Sequence, residues 1–339
     1  MRMRTLKAAT SMLALAVAAG TAHAGATFDA VKKKGFVQCG VNSGLTGFSV
    51  ADEKGVWKGI DVDVCRAVAA AVFGDASKVK YTPLTAKERF TALQSGEIDI
   101  LSRNTTWTVT RDGGLGISFT GVTYYDGQGF LVKKKLGVKS ALKLNGATVC
   151  VQSGTTTELN LADYFGVHKM KFKPVVYDTA DETVKSFEAG RCDVLTSDQS
   201  QLYALRSKLA QPETAFVLPE VISKEPLGPA VRQGDVEWFN IVRWSLFALV
   251  NAEDMGISST NIDQMKDSKN PDVKRLLGTD VIKHGLGVPD DWAYKIVKQV
   301  GNYSEVFERN VGSGSPLKIS RGLNALWSKG GLQYAPPIR

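Results

Sequence analysis

The run Phe36-Val-Gln-Cys-Gly-Val41 predicts a first strand, preceded by a short helix through Val31 and followed by the loop Asn42-Ser-Gly-Leu-Thr-Gly47. Gly55-Val-Trp57-Lys-Gly59 predicts a hairpin turn. Ile60, Val64, Val68 and Val72 then recur every four residues, with Ala67 and Ala71 beside them, which is one apolar face of a helix. Thr85-Ala-Lys-Glu88 is a capping box that opens a second helix through Leu93, and Gly96 closes it. A short apolar strand at residues 98–101 then empties into Ser102-Arg-Asn-Thr-Thr-Trp-Thr-Val-Thr, a polar run that ends on Arg111.

The unit then recurs. Residues 85–104 align without gaps on residues 179–198, pairing Thr85 with Thr179, Glu88 with Glu182, Gly96 with Gly190 and Asp99 with Asp193. The first strand has its own counterpart, Gly35, Cys39 and Asn42-Ser-Gly against Gly146, Cys150 and Gln152-Ser-Gly. Two tandem βα units predict two α/β lobes. Between the copies, residues 117–125 and 128–133 are β-prone and flank Asp126-Gly127. Gly154-Thr-Thr-Thr-Glu158 predicts a glycine turn with another capping box. A helix is expected after Asp198, through Leu209. Phe216-Val-Leu-Pro219 and Gly228-Pro-Ala-Val-Arg232 read as strands returning to the first lobe, before a long helix at residues 238–250. Residues 255–339 place Trp292, Phe307 and Trp327 at helical positions and end in a Gly/Pro-rich tail.

Composition adds a compartment. Basic residues Arg2, Arg4 and Lys7 precede an apolar run and Ala22-His-Ala24, the three-part form of a secretory signal. The apolar run is too short to span a membrane, so residues 1–24 are set aside as a signal peptide and an exported protein is expected. Its removal leaves 39 basic against 34 acidic side chains, a net charge of about +5. Those positive charges are scattered and lack an Arg/Lys stripe interleaved with aromatics, which argues against nucleic acid as a partner. Cys39, Cys65, Cys150 and Cys192 are even in number and hold no Cys-x-x-Cys, so disulfides are favoured over metal. With His168 and His284 far apart, neither a metal site nor a cofactor is expected.

The chemistry sits where a strand ends in a polar turn, the usual ligand position of an open α/β sheet. Arginine there supplies a planar fork that matches a carboxylate, so the segment reads as a grip on the carboxylate of a small solute. Three motifs carry a resemblance. Gly59-Ile-Asp-Val-Asp-Val-Cys-Arg-Ala-Val-Ala-Ala-Ala-Val72, Leu93-Gln-Ser-Gly-Glu-Ile-Asp99 and Ala230-Val-Arg-Gln-Gly-Asp235 are similar to family 3 periplasmic solute-binding proteins. Ser102-Arg-Asn-Thr-Thr-Trp107 and Phe307-Glu-Arg-Asn-Val-Gly-Ser-Gly-Ser315 resemble the general L-amino-acid binding proteins of bacterial ABC transporters.

The resemblance implies a two-lobed, type II periplasmic binding fold with two crossover strands and a cleft. The first lobe would comprise residues 25–127 and 223–255, the second residues 128–222. Residues 256–339 would form an extension mainly on the first lobe. By position, Arg111 matches the grip on the ligand α-carboxylate and Thr106 a donor to the same group. Asn104 matches a residue facing the ammonium. Thr156 matches a second carboxylate donor at a helix N-terminus, and Asp198 the acid that pairs the ammonium. Asn42 stands where receptors for cationic amino acids carry an acid, and Leu45 where many relatives stack an aromatic, which points to breadth. Trp57 and Trp107 are candidate walls of the side-chain pocket, with a packing role equally open.

A disulfide between lobes would hinder their opening, so Cys39–Cys65 and Cys150–Cys192 are the expected pairs. The expected partners are polar L-amino acids and the permease of an ABC importer, for a monomer in the periplasm. A dehydratase-like enzyme on the same fold is the alternative. Against it, no histidine, nucleophile elbow or cofactor motif lies near the cleft motifs, and Glu158 is explained as a cap.

Overall fold

The computed structural model describes residues 25–280 and 284–339; the leader expected at residues 1–24 lies outside them. The first half runs α1 (Ala26–Lys34), β1 (Val37–Asn42), the hairpin β2 (Val50–Ala51) and β3 (Trp57–Lys58), α2 (Ile60–Phe73), β4 (Val79–Leu84), α3 (Arg89–Ser95), β5 (Ile100–Leu101), α4 (Val109–Gly114) and β6 (Ile117–Phe119). After β7 (Tyr124–Asp126) come β8 (Gln128–Lys133), β9 (Thr148–Gln152), α5 (Thr156–Val167), β10 (Lys173–Tyr177), α6 (Ala180–Glu188), β11 (Val194–Asp198), α7 (Gln199–Arg206) and β12 (Ala215–Val217). The chain returns through β13 (Glu225–Leu227) and β14 (Ala230–Arg232) to α8 (Val236–Asp254), then α9 (Pro271–Leu277), α10 (Trp292–Val300) and α11 (Tyr303–Asn310).

Two five-stranded sheets result, ordered β4-β1-β5-β14-β6 and β10-β9-β11-β8-β12. Each has three parallel strands, and a fourth that runs antiparallel. The internal repeat is therefore topological: β1, β4 and β5 correspond to β9, β10 and β11. β7 and β13 pair antiparallel with each other and belong to neither sheet, so they are the two crossovers. Phe216 corrects an expectation. Its strand, β12, pairs with β8 at the edge of the second sheet rather than returning to the first.

Local chemistry explains the boundaries. Gly59 caps α2 at φ 136°, and a Cβ there would lie 2.0 Å from the carbonyl oxygen of Phe48, so the signature motif has to begin on glycine. Thr179 and Glu182 form a reciprocal capping box on α6. Thr85 and Glu88 exchange the same hydrogen bonds, although regular helix begins only at Arg89. The hairpin turn lies at residues 52–55, which leaves Trp57 in a strand. Trp327 sits in an exposed 3-10 turn rather than an α-helix.

Both disulfides stay within a lobe: Cys39 of β1 joins Cys65 of α2, and Cys150 of β9 joins Cys192 just before β11. They close loops of 26 and 42 residues, so replacing either pair by alanine should cost about 3–4 kcal/mol. Urea titration of each double variant measures it as a lower midpoint. No described helix is long and apolar enough to cross a membrane.

Candidate functional site

The two sheets face each other with the carboxyl ends of β5 and β11 converging. The lobes touch: Lys87 Nζ lies 2.6 Å from Asp178, Lys208 Nζ donates to the Gly44 carbonyl at 2.8 Å, and an Arg89 nitrogen reaches the Gly154 carbonyl. Between them is a small, tightly closed space lined by polar side chains, among them Arg89, Arg103, Asn104, Thr106, Thr156 and Asp198. A larger open hollow is lined by Lys133, Lys134, Lys135, Phe187 and Leu209. It lies at the opposite end of β8 from the Gln128–Asp198 pairing, away from both strand ends.

On the first lobe, Thr108 caps the short α4 by accepting from the Arg111 N–H. That turns the Arg111 side chain back, so one guanidinium nitrogen donates to the Thr106 carbonyl at 2.9 Å. The guanidinium also stands over the Phe90 ring. Burial lowers its pKa, while Glu225 and Asp198 act the other way. Arg111 flanks the space rather than lining it. Asn104 has φ 32°, a conformation asparagine tolerates better than most residues. Its N–H donates to the buried Asp61 carboxylate at 2.8 Å. Its side chain accepts from Asn42 and donates to Gln201, which links the lobes through three amides.

On the second lobe, Thr155 caps α5, and the Glu158 carboxylate accepts from the Gly154 N–H rather than from the cap residue. Thr156 therefore opens a 12-residue helix, where free N–H groups favour an anion. Its hydroxyl lies 3.3 Å from that of Thr106 and donates to Glu225 at 2.8 Å. Asp198 ends β11 and makes no capping bond with α7. It is 5% exposed, and its Oδ1 has no partner. Burial raises its pKa well above the usual carboxylate value, helped by Asp126 and Glu225 and opposed by Arg89 and Arg111.

Asp126, at the end of the crossover strand, holds the hydroxyl and N–H of Ser200, and burial raises its pKa to about 6. Asp61 is raised to about 7 by burial, against the Asn104 N–H and Arg103.

Of the residues singled out from sequence, Asn104, Thr106, Thr156 and Asp198 meet at one space, with Arg111 and Asn42 immediately behind. Trp57 does not join them. Its hairpin carries it onto Tyr81, ring centroids 5.6 Å apart, in the outer core of the first lobe. Trp107 stacks on Phe119 and lines a separate hollow beside Tyr125 and Phe247, so packing is its role.

Sequence reading missed Arg89 and Arg103, 3% and 2% exposed. Arg89 Nε is unpartnered, and burial together with Arg103 and Arg111 lowers its pKa well below the usual value. Arg103 donates to the Leu84 carbonyl, and burial lowers it to about 10. A signal existed: Arg89, Ala92 and Leu93 share the i, i+3, i+4 stripe that α3 buries. An arginine on an apolar stripe needs polar partners beyond its own helix, and Arg89 reaches the Thr105 hydroxyl and the Gly154 carbonyl.

The sequence profile of the bacterial extracellular solute-binding proteins, family 3, matches residues 37–256. The chain belongs to that family. Among its family 3 relatives, the general L-amino acid-binding periplasmic protein AapJ of Rhizobium johnstonii is 62% identical over all of both chains. The glutamate/glutamine/aspartate/asparagine-binding protein BztA of Rhodobacter capsulatus is 51% identical over 97% of this chain and 98% of its own. A solved periplasmic binding protein of an ABC transporter from Brucella ovis, with glutathione bound, is 59% identical. It superposes with TM-score 0.91 over 94% of this chain and all of its own. The cysteine-binding protein of Campylobacter jejuni is 25% identical, with TM-score 0.61 over 73% of this chain and 97% of its own.

Proposed function

We propose that the protein is a monomeric periplasmic receptor that captures polar L-amino acids between its lobes and hands them to the permease of an ABC importer. Residues 25–127 with 223–255 form one jaw and residues 128–222 the other. The observation that carries the reading is Asp198: a buried carboxylate with an unpartnered oxygen, across a small polar space from a cluster of arginines. A zwitterion satisfies both ends. Its carboxylate takes Arg111 and the N-terminus of α5, and its ammonium takes Asp198. Donors come from both lobes, so bound ligand favours the closed form by differential contact. The Thr156 hydroxyl is engaged by Glu225, which leaves the helix N–H groups as that lobe's carboxylate donors.

Arg89 and Arg103 extend the reading. Two further buried guanidinium groups suit a second anionic group on the ligand, so acidic side chains belong to the repertoire along with their amides. Arg89→Ala should weaken glutamate binding at least about tenfold, the lower end for a hydrogen bond to a charged group. Glutamine should change less. Calorimetry on both ligands reads the difference. Equal losses would remove Arg89 from the side-chain site.

The whole reading is tested by calorimetry of the mature protein, stripped of carried ligand, against the twenty amino acids and glutathione. Mass spectrometry of the recovered ligand checks for turnover. Binding of sugars or metals alone would refute the receptor, and conversion of a bound acid would favour an enzyme on the same fold.

A further inference from the structure

The matched family profile ends at residue 256, and the segment beyond it grips the hinge. Tyr125 of β7 stands opposite Pro226 of β13. Its N–H and C=O are both taken by the Asn324 side-chain amide, at 2.7 and 3.1 Å. The amide thus stands in for a third strand on the open edge of a two-stranded ribbon. Next to it, the Tyr303 hydroxyl donates to the Thr123 carbonyl at 2.7 Å. The Gln333 amide nitrogen is 3.0 Å from that hydroxyl and 3.4 Å from the Val122 carbonyl. The Tyr124 ring stacks on Phe307, 6.0 Å between centroids and 6° between planes. Asn324, Gln333, Tyr303 and Phe307 are all buried.

This grip is rooted in the first lobe. α10 and α11 pack on α2 and α8. Arg321 pairs with Glu253 of α8 at 3.0 Å, and Arg309 with Asp63 of α2 at 2.7 Å. The other crossover strand is tied the other way: Glu225 of β13 accepts from Thr156 and Asn160 of the second lobe. One hinge strand is therefore fastened to the first lobe up to Tyr125, and the next residues are Asp126, which meets Ser200 beside Asp198, and Gly127.

We propose that the C-terminal segment is a clamp on the hinge. Asn324, Gln333 and Tyr303 act as positioning residues that fix residues 122–125 to the first lobe, confine bending to Asp126–Gly127 and hold the empty receptor close to closure. Ligand binding then needs less reorganisation, because a larger fraction of the empty protein is already competent. The motion invoked rests on the receptor reading; the contacts do not.

The test uses the full mature protein with spin labels at Thr91→Cys and Lys185→Cys, exposed and equivalent positions on α3 and α6. Every native cysteine is in a disulfide among the described residues, so the labels are specific. Asn324→Ala should broaden the empty-state distance distribution toward longer separations and weaken glutamate binding roughly 3- to 10-fold, with the bound-state distance unchanged. Gln333→Leu, which keeps the volume and removes the amide, should act in the same direction. It stands in for Asn324→Ala if that variant does not fold. Unchanged empty-state distributions in a folded variant would overturn the clamp. Should the parent distribution ignore every amino acid while Asn324→Ala still broadens it, the receptor reading fails and the clamp stands.

Discussion

Arg111→Ala abolishes capture of amino acids and leaves the fold in place: that is the largest effect expected of any single substitution here. In the proposed site Arg111 would hold the ligand carboxylate through a charge-assisted grip inside a closed cleft, where water cannot replace it. Removing one partner of a buried, hydrogen-bonded charge pair costs about 2–5 kcal/mol, roughly 30- to 5,000-fold in affinity. The fold loses much less. The guanidinium's hydrogen bond within the protein is to the Thr106 carbonyl, worth about 1 kcal/mol net. Burial already strains the charge by lowering its pKa. Calorimetry and a thermal melt of the same preparation separate the two quantities. Arg111→Lys keeps the charge without the fork, so it should recover only part of the affinity. Micromolar binding retained by the alanine variant would remove Arg111 from the site.

Asp198→Asn comes second and carries a signature in protons. In the empty protein, burial and the neighbouring Asp126 and Glu225 hold Asp198 toward its neutral form. An ammonium beside it favours the charged form, so binding should release protons wherever Asp198 is still protonated. Calorimetry in buffers of different ionisation enthalpy measures that release, and Asp198→Asn should lose the Asp198 share of it along with about tenfold or more in affinity. Ligand affinity of the parent should accordingly fall as pH drops through the raised values. Stability of the empty protein runs in the opposite sense. A carboxyl whose folded pKa exceeds its unfolded value of about 3.9 stabilises the fold at low pH and loses that contribution as pH rises. With Asp126 at about 6 and Asp61 at about 7, the empty protein should weaken between about pH 4 and 7. Asp198→Asn should flatten that slope. Equal proton release by the variant would place the ammonium elsewhere.

The half of the site that could be read in advance was the half carried by local grammar. A capping box, a glycine stop, a strand and a polar end are short-range signals, and their repetition 94 residues later located Asn104 and Asp198 as equivalents before any contact was known. Arg89 escaped because Lys87-Glu-Arg89 looks like an ordinary charged helix start, which masks its place on the stripe with Ala92 and Leu93; the packing of α3 shows that this side faces the cleft. Trp57 misled for the converse reason. Its spacing says aromatic near a loop, and the hairpin that aims it at Tyr81 is a tertiary contact. Phe216 was assigned to the wrong sheet because an edge strand's partner lies far away in sequence.

By itself, then, the sequence determined the two α/β units, their cysteines and the polar strand ends that line the cleft, since periodicity and caps act over a few residues. Tertiary structure alone decided three things. It brought Arg89 and Arg103 into the cleft with Asp61 behind Asn104, it gave Glu225 and Asp126 places beside Asp198, and it laid residues 303–333 on the hinge. Those pairings join groups tens to hundreds of residues apart, and their energies depend on burial, which no local pattern of side chains encodes.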